Sequence, residues 1–239
     1  MIIFLTSLLK VRDYSVADAR VPIAISDENG ILTNIRKSLK RTLGLVVVAN
    51  DPYDAADNDD KLDCIYNSFC LSGINFEQKF MLDARNANMA GNLVSRADMV
   101  ILTGGKCVCQ NKFFADIGLK EILKSYDGTV IGVSAGAMNL CKTVANFPEE
   151  KSDLPEPRWL DGMGFADEII IPHYDGETDS YQFECEDFDI AKDYILPMSR
   201  ERVFTGVPNG AYIMIDQNGH KQYFGAVYSI ENGKSKKRR

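Results

Sequence analysis

Short apolar runs recur along this chain with helix-length stretches between them, and that alternation limits the possible folds more than any other feature of the sequence. Residues 2–6, 45–49, 97–102, 129–131 and 169–171 are rich in Ile, Leu and Val. A continuous run such as Leu-Val-Val-Val-Ala at 45–49 marks a strand covered on both faces, as strands of a parallel sheet are. Residues 34–43 carry Ile35, Leu39 and Leu43 on one helical face and Arg36, Lys37, Lys40 and Arg41 on the other. Helices are likewise expected over 60–71, 86–96 and 184–194 and through Phe113, Phe114, Ile117, Ile122 and Leu123, with a short strand at 79–82. Strands alternating with helices predict a doubly wound α/β fold, a mostly parallel sheet with helices on both faces, which places functional groups at the carboxyl ends of its strands. The last third changes pattern. Short runs at 203–205, 211–215 and 222–228, separated by Pro208-Asn209-Gly210 and the hairpin signal Asn218-Gly219, predict a C-terminal antiparallel extension. The 239 residues contain no linker, so one domain over 1–239 is expected, with a loop at 146–161 and a solvated basic tail at 234–239.

Two predicted strand ends carry chemistry. Thr129-Val130-Ile131 runs into Gly132-Val133-Ser134-Ala135-Gly136, and Ala137, Met138 and Leu140 then favour a helix. Strand, sharp turn and helix around G-x-S-x-G form a nucleophile elbow, in which flanking glycines leave room for an exposed serine hydroxyl. The Ala135 amide would face a developing oxyanion at the positive end of the following helix. A serine needs a base, and the chain has two histidines. His173 follows the buried run 169–171, whereas His220 lies in the hairpin signal and is expected to face solvent. Ser134 and His173 are therefore the candidate pair.

Other classes of function are disfavoured. A net charge of −7, with its basic block confined to the tail, argues against a nucleic-acid partner. No run approaches the ~20 apolar residues needed to span a bilayer, so no membrane role is expected. The acidic segment 50–60 lacks the glycine and glutamate of a calcium loop, and Cys107-Val108-Cys109 offers two ligands with no histidine near in sequence, so neither a metal nor a cofactor is expected. Six scattered cysteines in a chain this long suggest reduced thiols and a cytoplasmic location.

Leu102-Thr103-Gly104-Gly105, Gly132 to Ala137, Ile171-Pro172-His173-Tyr174 and Gly206-Val207-Pro208-Asn209-Gly210 follow one another in an order that resembles the dipeptidase E (aspartyl dipeptidase) family of serine peptidases, relatives of cyanophycinase. The resemblance spans about residues 98–215. It implies a flavodoxin-like, class I glutamine amidotransferase-like fold. It also implies that Ser134 attacks a peptide carbonyl, that His173 is general base and then acid, and that the amides of Gly105 and Ala135 form the oxyanion hole. For the acid that orients the histidine it offers Glu149, with Glu150, Asp153 and Asp175 as rivals. Asn209 stands where relatives often carry a glutamate, which would leave the histidine held by an amide. Gly104, Lys106 and Tyr174 are the expected substrate contacts. The implied substrate is a small peptide, with homodimerisation left open. An aspartyl preference is not expected, because the segment after His173 is acidic and only Lys106, Arg158 or Arg200 folding inward would offset it. The alternative is a binding protein of the same fold without catalysis; a glutaminase is disfavoured because that chemistry uses cysteine at the elbow.

Overall fold

The computed structural model describes residues 1–16, 19–147, 158–176 and 189–238. In chain order its strands and helices are β1 (Ile2–Thr6), α1 (Ile31–Ser38), β2 (Gly44–Val48), α2 (Ala55–Leu71), β3 (Gln78–Leu82), α3 (Ala90–Ser95), β4 (Met99–Leu102), α4 (Cys107–Asp116), α5 (Leu119–Lys124), β5 (Thr129–Val133), α6 (Ala135–Leu140), β6 (Thr143–Asn146), β7 (Arg158–Asp161), β8 (Ile170–Pro172), α7 (Leu196–Met198), β9 (Phe204–Val207), β10 (Tyr212–Ile215), β11 (Lys221–Phe224), β12 (Tyr228–Glu231) and β13 (Lys234–Lys237). A seven-stranded sheet has the order β11-β10-β1-β5-β4-β2-β3, in which β1 to β5 are mutually parallel and β10 and β11 add the antiparallel extension. Alternation along the buried strands divides the core. Val46, Val48, Val100 and Leu102 face the helices α3 to α6 through Leu93, Phe113, Leu123 and Leu140. Leu45, Val47, Met99 and Ile101 face α1 and α2 through Ile35, Leu62 and Phe69. The expected doubly wound architecture is present.

A second sheet, ordered β13-β12-β9-β8, encloses a smaller core of Phe147, Tyr174, Ile195, Phe204 and Ile230. Here the expectations need correcting. The basic tail is paired rather than solvated: Lys234–Lys237 forms β13 against β12, its backbone bonded while the lysine side chains stay in water. The segment 146–161 is not wholly loop, since β7 pairs antiparallel with β6. The helix expected over 34–43 stops at Ser38, and Leu39 is extended (φ −81°, ψ 122°). A tertiary bond decides this. The buried carboxylate of Asp98 accepts from the amides of Leu43 (2.7 Å) and Gly44 (3.3 Å), drawing the chain straight into β2. Conversely α2 starts earlier than expected, because Asp54 caps it by accepting from the Asp57 amide. The helical stretch through 113–123 is broken at Gly118, whose φ of 64° ends one helix and starts the next. Of the helix expected over 184–194, residues 184–188 lie outside the described residues; the rest belongs to a π-helical turn, Ile190–Ile195, wider than an α-helix and capped by Asp189.

Candidate active site

The carboxyl ends of β1, β4 and β5 lie side by side because Leu5, Leu102 and Gly132 share one register. Each strand therefore delivers the residues just beyond it to the same edge. From β5 comes Ser134, with φ 50° and ψ −113°, a conformation that costs a non-glycine residue about 1–3 kcal/mol. Packing holds it there. The Ser134 amide donates to the Thr6 carbonyl (2.8 Å), and α6 behind it is buried along its whole length. A Cβ at Gly132 would strike Ala137 and Leu140, and one at Gly136 would strike the Leu102 carbonyl, so the elbow closes only with hydrogen at both positions.

From β4 come Gly104 and Gly105. Gly104 lies against Ser134, where an added Cβ would sit 3.1 Å from the serine Cβ. Gly105 has φ 132°, and its α-carbon faces Asn50, a buried residue just past β2. Among the described residues the Gly105 amide donates to no backbone carbonyl. Ala135 opens α6, so its amide has no intrahelical acceptor either.

His173 arrives from the second sheet. It follows β8, which pairs parallel with β9 in the register Pro172↔Val207, so Asn209, two residues beyond β9, comes up beside it. The ring bridges two side chains: Nε2 is 3.1 Å from Ser134 Oγ, and Nδ1 is 2.8 Å from Asn209 Oδ1. His173 itself has φ 62°. Ser7, beyond β1, fixes it there: the His173 amide donates to Ser7 Oγ (3.0 Å), and the Ser7 hydroxyl donates to the Val207 carbonyl. Burial pushes the His173 imidazole below the ordinary histidine value, and the bond to Asn209 opposes that only in part.

A cavity of about 320 Å³ opens on this edge, lined by Gly104, Gly105, Ser134 and His173 on one side. The opposite wall comes from the N-terminal segment and α2, including Leu9, Val11, Arg12, Arg20, Lys61 and Ile65. Residues 11–13 and 21–23 pair as the two arms of a narrow hairpin, with Arg12 bridged to Pro22 and the Asp13 amide bonded to the Val21 carbonyl (2.9 Å). Arg20 and Lys61 are neutralised by Asp57 and Asp60, whereas Arg12 forms no ion pair among the described residues and lies 4.6 Å above the Tyr14 ring.

Other residues expected to contact substrate do not line this cavity. Tyr174 does not reach the cavity: it is 1% exposed, its ring packed over Gly206 and edge-on to Tyr228, because it points to the opposite face of the strand path from His173. Lys106 is exposed and paired with Asp51 (2.8 Å), outside the cavity wall, and Arg200 does not line it either. Glu149, Glu150 and Asp153, and the side chain of Arg158, lie outside the described residues. Asp175 is exposed. His220 is exposed as expected, beside Asp216. Among the described residues no three His, Cys, Asp or Glu side chains gather as a metal site, no disulfide joins the five described cysteines, and no helix is long and apolar enough to cross a membrane. Sequence reasoning missed Ser7, Asn50 and the Arg12 hairpin, for which the sequence offers no local signal. Asn209 was visible only as a departure from a pattern.

Residues 52–222 match the sequence profile of peptidase family S51. No curated protein matches the chain. A solved peptidase from an acI-B1 Actinobacterium is similar with a TM-score of 0.64 at 16% identity, covering 99% of this chain and 93% of the other. A peptidase E-like protein from Listeria monocytogenes is similar with a TM-score of 0.56 at 13% identity, covering 94% of this chain and 98% of the other. At those identities the likeness is one of fold.

Proposed function

We propose, on the premise that this chain belongs to peptidase family S51, the dipeptidase E family of serine peptidases, that Ser134 and His173 carry its chemistry and that its substrates are small peptides. The observation that carries the reading is the 3.1 Å approach of His173 Nε2 to Ser134 Oγ across 39 residues of chain. In this mechanism Nε2 takes the hydroxyl proton as Oγ attacks the scissile carbonyl carbon. The resulting oxyanion accepts from the amides of Gly105 and Ala135, whose removal singly is worth about 3 kcal/mol in such sites. The imidazolium then returns its proton to the leaving amine, and water enters by the same base to hydrolyse the ester at Ser134. A cavity of about 320 Å³ suits a substrate of dipeptide size. Covalent labelling by a fluorophosphonate tests the pair: the label is expected on wild-type protein and absent from Ser134→Ala. A label that persists in that variant would place the nucleophile elsewhere.

The wall opposite Ser134 supplies the positive charge that the segment after His173 lacks. Arg12 is the cation there without an ion-pair partner among the described residues, so a substrate carboxylate is the group it would meet. A charge-assisted hydrogen bond contributes about 1.5–3 kcal/mol. Arg12→Gln is therefore expected to raise KM for Asp-Leu roughly tenfold or more, with little change in kcat, because the contact serves ground state and transition state alike. Steady-state kinetics on Asp-Leu and Ala-Leu check this. Equal KM values in variant and wild type for both peptides would remove Arg12 from the substrate site.

A further inference from the structure

The bond on the far side of the His173 ring is made by an amide, not by a carboxylate. A neutral imidazole has one N–H and one lone pair, and only the tautomer protonated at Nδ1 leaves Nε2 free to accept the serine proton. A carbonyl oxygen such as Asn209 Oδ1 can only accept. At 2.8 Å it selects the Nδ1–H tautomer and holds the ring plane against Ser134. We propose that Asn209 is the positioning residue of this site, holding His173 in the tautomer and ring orientation that face Ser134. The inference rests on the pairing of Ser134 with His173 proposed above and adds what orients it.

Three features of the fold carry the assignment. The parallel register of β8 and β9 puts residues 173 and 209 side by side on two different loops. Ser7 ties both strands together by accepting from the His173 amide and donating to the Val207 carbonyl, so the spacing between the loops is fixed by β1 rather than by the loops. The turn carrying Asn209 is itself closed, with the Ala211 amide on the Pro208 carbonyl (3.1 Å) and Gly210 at φ 83°. Position 209 is therefore placed with the rigidity that an orienting group needs.

A neutral partner has a chemical consequence. An anion beside Nδ1 would stabilise the imidazolium that forms during attack; an amide orients the ring but stabilises that cation less. Among the described residues that line the cavity with His173, the charged groups are cations. Arg12, Arg20 and Lys61 stand on the hairpin and α2 across the cavity, and Asp175, two residues on in the same loop, is exposed. Burial holds the His173 imidazole below the usual histidine value, and the bond to Asn209 offsets that only in part. The site keeps its base form into mildly acid solution and accepts a slower proton transfer in return.

The rate of inactivation by a fluorophosphonate, followed from pH 4.5 to 9, reads the nucleophile without a known substrate. Wild type is expected to show an acid limb below pH 6.5, the ordinary histidine value. In Asn209→Asp the limb is expected to move upward and the plateau rate to rise severalfold, because a carboxylate beside Nδ1 stabilises the imidazolium that forms during attack. In Asn209→Ala the plateau is expected to fall about 10²-fold as the tautomer and ring plane are released. Nitrogen chemical shifts of the His173 ring give a readout that a merely structural role would not move: Nδ1 protonated in wild type, a mixture of tautomers in Asn209→Ala. An unchanged rate, limb and tautomer in Asn209→Ala would overturn the role of Asn209 while leaving Ser134 and His173 in place. Absence of Ser134-dependent labelling in both wild type and Asn209→Asp would overturn the pairing itself, and this inference with it.

Discussion

Ser134→Ala is expected to lower kcat/KM for peptide hydrolysis on the order of 10⁴- to 10⁶-fold, and His173→Ala by a similar factor, because nucleophile and base act as one unit whose loss is not additive. The double variant should therefore be scarcely worse than either single one. The proton shared over 3.1 Å is the reason: without the imidazole the hydroxyl has no acceptor, and without the hydroxyl the imidazole has nothing to deprotonate. What remains would come from the amides of Gly105 and Ala135 and from substrate binding, which need neither side chain. Both single variants should fold normally. Ser134 pays a conformational cost at φ 50° that alanine shares, and neither side chain belongs to the hydrophobic core. Initial rates on a dipeptide panel, with thermal unfolding as the control, measure this. A His173→Ala enzyme within tenfold of wild type would remove the histidine from the chemistry.

Gly136→Ala is expected to cost about 3 kcal/mol or more of stability, at the upper end for overpacking a core, and to lose activity beyond what that cost explains. The second residue of α6 stacks on the end of β4, and an added Cβ would fall 2.2 Å from the Leu102 carbonyl oxygen and 2.7 Å from its carbon, far inside van der Waals contact. Backbone cannot rotate away as a side chain can. The helix must lift from the strand instead, and it carries the Ala135 amide and Ser134 with it. For a chain of this size, 3 kcal/mol corresponds to a fall of roughly 6–12 °C in Tm. Gly91, in α3 with nothing within 4 Å of its would-be Cβ, is the matched control. Gly91→Ala should be neutral or stabilise by up to about 1 kcal/mol through helix propensity and loss of unfolded-chain entropy. Calorimetry on the two variants separates crowding at 136 from any general effect of replacing a helical glycine, and equal Tm values would refute the crowding.

Local sequence already carried much of this. The run 45–49 reads as a doubly covered strand because all of it is apolar, and it is buried on both faces. G-x-S-x-G after a β-branched run reads as an elbow because the glycines leave no alternative to a tight turn, and Ser134 does take a positive φ. Where expectation failed, a distant group had overridden the local pattern. Leu39 and Leu43 repeat at helical spacing, yet the Asp98 carboxylate, 55 residues on, holds the Leu43 amide and straightens the chain. Lys234 to Lys237 look like a solvated end, yet β12 offers them an unpaired edge, and backbone pairing is indifferent to the charge on outward side chains.

The chain's own pattern of apolar runs, glycines and one serine determined a doubly wound sheet with a nucleophile elbow, because those signals act between neighbours a few residues apart. Tertiary structure alone decided what surrounds that serine. Ser7 meets His173 across 166 residues and Val207 across 200, Asn209 meets the ring across 36, and Arg12 faces the cavity from a hairpin with no strand pattern of its own. Those contacts depend on how two sheets lie against each other. No short-range propensity encodes that arrangement, so the hydroxyl, the imidazole and the amide at 209 could be anticipated by motif while the support from Ser7 and the placement of Arg12 had to be seen in place.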